Sequence, residues 1–227
     1  MKTTFDLVAF DLDGTLVDSA PDIACAVNGM LDELGLPRRS VENVRHYLGN
    51  GVDWLAKRAL TGELWSEPDP ELLQQALPKL LVHYARNNGL HTEIYPGVLE
   101  ALQFARERGL ALACVTNKKG EFTRPLLDKL DMARFFDIVL SGDDLEQRKP
   151  DPEPLCYAMR QTGVSAGRTL MVGDSVTDVK TGRAAGAAVA AVSYGYNHGE
   201  NIADAEPDWV IDSMLEICTI LQPADNR

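Results

Sequence analysis

Short apolar runs, each stopping at polar residues, constrain the fold more than any other feature of this chain. They are Leu7–Phe10, Leu110–Val115, Ile138–Leu140, Thr169–Val172 and Ala188–Val192. Helix-period stretches stand between them: Val98, Leu102 and Ala105 precede Gly109, and Leu126, Leu127 and Leu130 precede the third run. Buried strands alternating with amphipathic helices build a parallel sheet covered on both faces. The pattern predicts an α/β fold with a Rossmann-like parallel core. In such sheets a ligand sits beyond the carboxyl ends of the strands.

One interval is too long for a single crossover. From about Val17 to about Glu93 the sequence carries helical patterns and no convincing strand. Ile23, Val27, Met30, Leu31 and Leu34 recur at helical spacing, and Gly35 and Pro37 close that helix. Leu72, Leu73, Ala76, Leu77, Leu80, Leu81 and Tyr84 form a second stripe, read as core packing. Pro78 lies inside it and predicts a kink or a helix start. The chain therefore divides into a Rossmann-like core, residues 1–16 and 93–227, and a small all-helical domain, residues 17–92, inserted after the first strand. The connections near Val17 to Ala20 and near Thr92 to Pro96 are the expected hinges. No internal repeat or low-complexity segment is present, and the polar tail after Leu221 is expected to fray.

Composition narrows the partners. With 45% hydrophobic and 25% charged residues in 227, the chain is of ordinary globular type. Its 22 basic and 34 acidic residues give a net charge of −12, a field that repels phosphate backbones and argues against nucleic acid. An anionic small substrate would need a local cation. Cys25, Cys114, Cys156 and Cys218 show no CxxC spacing and read as buried free thiols. The longest small-apolar run, Ala184 to Val192, falls well short of the roughly 20 residues a membrane helix needs. Asp6, Asp11 and Asp13 break up the start of the chain, unlike a signal peptide. A soluble, cytoplasmic protein without a membrane partner is expected, of open oligomeric state.

Polar residues gather where the strands end. The first run stops at Asp11-Leu12-Asp13-Gly14-Thr15, the second at Thr116-Asn117, and the fourth runs into Gly173-Asp174-Ser175-Val176-Thr177-Asp178; Lys149-Pro150 follows the third by one loop. Any one of these alone is an ordinary turn, cap or surface residue. Together, in this order, they converge on one mouth. Carboxylates gathered there repel one another unless a cation joins them. Mg²⁺ suits an all-oxygen site that also receives phosphate. A lysine and a turn opening a helix add positive potential for an anion. Glu33, Glu63 and Glu67 read as solvated surface, and Trp54, Trp65 and Trp209 as core or interface. His46, His83, His91 and His198 lack metal-ligand spacing, and Lys118 and Lys119 read as solvent-exposed.

With those elements in this order, the sequence resembles the haloacid dehalogenase-like hydrolases over essentially its whole length. The family pattern is a strand ending in DxDGT/V, a second ending in Thr or Ser, a lysine, and an acidic GDxxxD. The helical insertion is similar to the family's small cap. Within the superfamily the nearest likeness is to bacterial phosphoglycolate phosphatases, through Leu48-Gly49-Asn50-Gly51, Ser141-Gly142-Asp143-Asp144 and Tyr194-Gly195-Tyr196-Asn197-His198-Gly199-Glu200. The resemblance implies a phosphomonoester hydrolase, with 2-phosphoglycolate as substrate and Mg²⁺ as cofactor. Asp11 would attack phosphorus and form an aspartyl-phosphate. Asp13 would protonate the leaving oxygen and later activate water. Asp11, the backbone carbonyl of Asp13, and Asp174 would hold the metal. Thr116, Asn117 and Lys149 would hold phosphoryl oxygens, supported by Asp178 and Ser175. In the cap, Gly49, Asn50 and Gly51 would meet the leaving group, with Arg45 as a helper or a solvated charge.

Other functions compete. A phosphatase of sugar phosphates, including amino-sugar phosphates of cell-wall recycling, shares most of the frame. A phosphomutase uses both aspartates but returns the phosphoryl group to a sugar. A dehalogenase needs no leaving-group proton, so Asp13 would have no task. A receiver-type signalling module also takes phosphate on an aspartate, but on a middle strand and without a second aspartate two residues later.

Overall fold

The computed structural model describes residues 5–222. Leu7-Val8-Ala9-Phe10 forms β1 (Leu7–Phe10), buried along its whole length, as a central parallel strand covered on both faces must be. A two-residue β2 (Val17–Asp18) and β3 (Glu93–Ile94) pair with each other antiparallel. The other strands are β4 (Ala111–Val115), β5 (Ile138–Leu140), β6 (Thr169–Gly173), β7 (Ala188–Val192) and β8 (Trp209–Ile211). With β1 they form a six-stranded sheet in the order β5-β4-β1-β6-β7-β8, every neighbouring pair parallel. Phe10 stands level with Cys114 of β4 and Val172 of β6. That register brings the residues after all three strands to one edge of the sheet.

Alternation along the strands divides the core in two. Val8, Phe10, Leu112, Cys114, Leu170 and Val172 face one cluster, against α5 (Val98–Glu107), α6 (Gly120–Lys129) and the short α9 (Ile217–Ile220). Leu7, Ala9, Ala113, Val115, Met171 and Val189 face the other, against α7 (Glu153–Thr162) and α8 (Val176–Ala184). Strand β8 escapes the sequence pattern because it is a three-residue edge strand, half in solvent and without a periodic signal.

Four helices stand between β2 and β3: α1 (Ala20–Glu33), α2 (Val41–Tyr47), α3 (Val52–Thr61) and α4 (Pro70–Asn87). They share a third hydrophobic cluster, built on Ile23, Val27, Met30 and Leu31 of α1 with Ala76, Leu80 and Tyr84 of α4. Phe122 and Tyr196 extend that cluster onto the sheet-bearing part. The expected helix start at Pro78 is not there. Asp69 accepts from the Glu71 and Leu72 amides and Pro70 opens the helix, so α4 runs on through Pro78.

Other expectations also need correction. Cys114 is the one buried cysteine; Cys25 lies on the outer side of α1 and is exposed, and Cys156 and Cys218 are half-buried, although all four are free thiols. Trp65 and Trp209 are exposed, so of the two expected places, core or interface, neither takes the core. The tail beyond Leu221 lies, from residue 223 on, outside the described residues. No helix among the described residues is long and apolar enough to cross a membrane.

The two connections to the helical insertion run side by side and are tied by one buried carboxylate. Asp22 accepts from the His91 amide at 2.7 Å, the Thr92 amide at 3.0 Å and the Thr92 hydroxyl at 2.6 Å. Asp22→Ala leaves these donors without an acceptor. Unfolding free energy from a denaturant titration is expected to fall by about 2–4 kcal/mol. A loss within about 0.5 kcal/mol, the range of an ordinary surface substitution, would show that the tie carries no load.

Candidate active site

Asp11 is fixed at the end of β1 by the sheet itself. Its amide donates to the Val172 carbonyl at 2.9 Å, and the Leu12 amide donates to its Oδ1 at 2.7 Å. The chain then turns tightly, with the Leu16 and Val17 amides donating to the Leu12 carbonyl. Gly14 has φ +86°, and a Cβ there would collide with the Asp174 carboxylate. Both conditions demand glycine. Asp174 follows β6 and is held by the Tyr196 amide, 2.7 Å from Oδ2, and by the Thr15 hydroxyl, 3.3 Å from Oδ1. Gly195 lies equally close, and a Cβ at that position would overlap Asp174.

Lys149 bridges the centre. Its Nζ lies 2.9 Å from Asp11 Oδ1 and 2.7 Å from Asp178 Oδ1, with the side chain almost wholly enclosed. Asp178 sits in the first turn of α8, where its Oδ2 accepts from the Ser175 hydroxyl at 2.7 Å and the Ser175 amide at 3.1 Å. Burial pushes the Asp11 carboxyl up to about 6, against the opposing pull of Lys149. Burial, then Asp178 and Asp11, hold Asp174 well above the usual carboxylate range. For Lys149 burial works against the charge, yet Asp11 and Asp178 outweigh it and raise its pKa.

One oxygen from each of Asp11, Asp174 and Asp178 lies within 4.8 Å of the others. Asp178 spends both oxygens on Lys149 and the start of α8, and Asp11 spends Oδ1 on Leu12 and Lys149. That leaves Asp11 Oδ2, and Asp174 Oδ1 with only the long 3.3 Å contact from the Thr15 hydroxyl, as the most available oxygens for a metal. Three buried carboxylates with one lysine keep an excess of negative charge, and burial raises two of them. A hard divalent cation fits this all-oxygen set.

At the end of β4, the Thr116 amide donates to the Leu140 carbonyl at 2.9 Å. Asn117 spends its side-chain NH₂ on the Lys149 and Gly49 carbonyls, both at 3.0 Å, while its buried Oδ1 has no partner among the described residues. Lys118 departs from expectation. It is buried rather than exposed, its Nζ 2.9 and 3.2 Å from the two Asp13 oxygens and 2.8 Å from the Tyr84 hydroxyl of α4. The Ser19 hydroxyl donates to Asp13 Oδ1 at 2.6 Å. Asp11 and Asp13 thus face one cavity while each is held by a different lysine.

Opposite them, Gly49 and Gly51 line the same cavity, and Ile23, Leu48, Val52, Leu55 and Phe122 give it apolar walls. Asn50 and Arg45 do not line it. Asn50 Oδ1 accepts from Arg58 at 2.7 Å, and its Nδ2 is 3.5 Å from the Thr177 hydroxyl. Arg45 is pinned 2.6 Å from Asp18 Oδ2. Sequence reasoning missed Ser19, Tyr84, Lys118 and Tyr196 as contributors. Tyr84 is disguised by its place in an apolar helix stripe; Lys118 was signalled by its adjacency to Thr116-Asn117, and Tyr196 by its place in the Tyr194–Glu200 stretch.

The profile of a family described as haloacid dehalogenase-like hydrolase matches residues 8–192. A phosphoglycolate phosphatase of Nitrosococcus oceani is 45% identical over 219 residues, covering 96% of this chain and 97% of its own. Another, from Pseudomonas savastanoi pv. phaseolicola, is 47% identical over 212 residues, covering 93% of this chain and 78% of its own. A crystal structure described as a predicted phosphoglycolate phosphatase from Haemophilus somnus superposes with a TM-score of 0.91 at 35% identity, covering 97% of this chain and 99% of that one. The chain belongs to the haloacid dehalogenase-like hydrolases and is a phosphoric monoester hydrolase.

The Asp11 carboxyl, at about 6 when folded against an ordinary 3.8, binds more protons in the folded than in the unfolded chain between those values. In chelator this group makes stability fall as pH rises from about 4 to 6. A cation held by this carboxylate would bind its deprotonated form and remove the penalty. Added Mg²⁺ is therefore expected to raise the melting temperature more at pH 7 than at pH 5. An equal or larger shift at pH 5 would contradict a site built on these carboxylates.

Proposed function

We propose that this hydrolase is a Mg²⁺-dependent phosphatase that works through a phosphoryl intermediate on Asp11 and acts on 2-phosphoglycolate. One observation carries the chemistry: two carboxylates, two residues apart, face one cavity in different settings. Asp11 is oriented by Lys149 and the Leu12 amide, with Oδ2 open to a further partner. Asp13 lies on the turn after the strand, held by Ser19 and Lys118.

In the first step Asp11 Oδ2 forms a bond to phosphorus, the bond to the leaving oxygen breaks, and that oxygen takes a proton from Asp13. In the second, Asp13 takes a proton from water as the water oxygen bonds to phosphorus. The bond to Asp11 then breaks, returning a carboxylate and free phosphate. Thr116, Asn117 and Lys149 position the phosphoryl oxygens, and Asp178, itself fixed by Ser175, keeps Lys149 in place. Asp11, Asp174 and the Asp13 carbonyl would hold Mg²⁺, which when bound neutralises phosphate charge and anchors the group being transferred.

The substrate assignment draws on relatives called phosphoglycolate phosphatases and on the apolar cavity wall. A sugar phosphate would bring hydroxyls that Ile23, Leu48, Val52 and Leu55 cannot satisfy. Residues 17–92 act as a cap, with Val17 to Ala20 and Thr92 to Pro96 as hinges. Gly49 and Gly51 meet the leaving group, whereas Asn50 and Arg45 serve the cap's own structure. The working place is the cytoplasm, and the partner is a small phosphorylated metabolite.

A panel of phosphorylated metabolites ranked by kcat/KM should place 2-phosphoglycolate first; a hexose phosphate ranking above it would overturn the assignment. Asp13→Asn should lose about 10²–10⁴ in turnover of 2-phosphoglycolate. Phosphorylation by an activated aryl phosphate, whose leaving group needs no proton, should suffer less. Equal losses with both substrates would remove Asp13 from its role.

A further inference from the structure

Lys118 is a buried cation facing the cavity, and the two chemical steps give it no task beyond seating Asp13. Its side chain is 2% exposed, and its three N–H donors are directed at the Asp13 oxygens and the Tyr84 hydroxyl. Neighbouring cations are committed elsewhere. Lys149 serves Asp11 and Asp178, Arg45 serves Asp18, and Arg58 serves the Tyr47 and Leu64 carbonyls and Asn50. Lys119 also lines the cavity, but it is half-buried, and no hydrogen bond or ion pair among the described residues fixes its ammonium there.

We infer that Lys118 is the specificity-determining residue that receives the carboxylate of the leaving group. This rests on 2-phosphoglycolate as substrate. With phosphorus at Asp11, the leaving oxygen must lie beside Asp13, whose oxygens are 2.9 and 3.2 Å from Lys118 Nζ. In 2-phosphoglycolate one methylene separates that oxygen from the carboxyl carbon, so the carboxylate falls within reach of the same ammonium. Among the apolar walls an unpaired carboxylate would be heavily penalised. Of the present partners of Lys118, the Tyr84 hydroxyl is the neutral one. A carboxylate can displace it, because a charge-assisted hydrogen bond is about twice as strong as a neutral one. Tyr84, stacked on Phe122 with ring centroids 4.2 Å apart, then becomes the wall behind the bound acid. Lys118 thereby supplies the local cation that a chain of net charge −12 requires for an anionic substrate.

The test compares 2-phosphoglycolate with ethyl phosphate, which carries a methyl group in place of the carboxylate. The wild type should prefer 2-phosphoglycolate by about 10²-fold or more in kcat/KM. Lys118→Met should shrink that preference below about 10-fold, mainly through KM, because the ion pair is made in the ground state as well. Inhibition by inorganic phosphate should change little, and Lys118→Arg should regain part of the preference. Lys118→Gln gives the same reading if the methionine variant does not fold. A parallel loss with both substrates would show that Lys118 merely seats Asp13, and would overturn the inference while leaving the substrate standing. Persistence of the preference in Lys118→Met, or its loss in Lys119→Met instead, would also overturn it. A wild type indifferent to the carboxylate would remove the 2-phosphoglycolate reading itself, and this inference with it.

Discussion

Lys149 stands between two buried carboxylates, and the rest of the site depends on that bridge. Its ammonium is 2.9 Å from Asp11 and 2.7 Å from Asp178, in surroundings closed to water. Removing one partner from such an enclosed pair typically costs about 3–5 kcal/mol, because the other charge is left buried and unpaired. The bridge therefore fixes which oxygens are spent and which remain open. Asp178 is consumed by structure, holding Lys149 with one oxygen and the start of α8 with the other. Asp11 keeps one oxygen free, and Lys149, shared with Asp178, offsets only part of the charge gathered there. The excess that remains is what a divalent cation would have to balance before a phosphate dianion could approach that oxygen.

Around this centre the backbone approaches so closely that side chains are excluded. Gly14 and Gly195 both press on Asp174, and the Tyr196 amide takes one of its oxygens. The same tyrosine reaches the start of the helical insertion. Its hydroxyl accepts from the Ser19 and Ala20 amides and donates to Asp18, which in turn holds Arg45. Ser19 also bonds Asp13. The connection to the insertion is thus built from residues that also hold the carboxylates, so a movement of the helices reaches the site through hydrogen bonds already in place.

The sheet and the gathering of polar residues at one edge of it were legible because both rest on short-range rules. Leu7–Phe10 announces a buried strand by lacking any polar face, and Asp11, Asp13, Thr116, Lys149, Asp174 and Asp178 stand at strand ends where a sheet alone has no use for them. What sequence hid depends on packing between distant segments. Lys118 appears solvent-facing in sequence, and only the approach of α4 encloses it with Tyr84 and Asp13. Arg45 and Asn50 looked free to meet a ligand, but each is claimed by a partner, Asp18 and Arg58, that spacing does not reveal. No helix starts at Pro78 because Asp69-Pro70 is the stronger start signal, and Cys25 was misjudged because burial on α1 is a matter of helix face rather than residue type.

The central claim is that Asp11 becomes phosphorylated. Rapid chemical quench of the Asp13→Asn variant with an activated aryl phosphate, followed by peptide mapping, tests it most directly, since that change slows release of the phosphoryl group more than its capture. Phosphate should accumulate toward one equivalent per chain, on the peptide that contains Asp11, and be lost on treatment with hydroxylamine. Continued turnover with phosphate on another residue, or with none bound to the protein in the pre-steady-state phase, would contradict it.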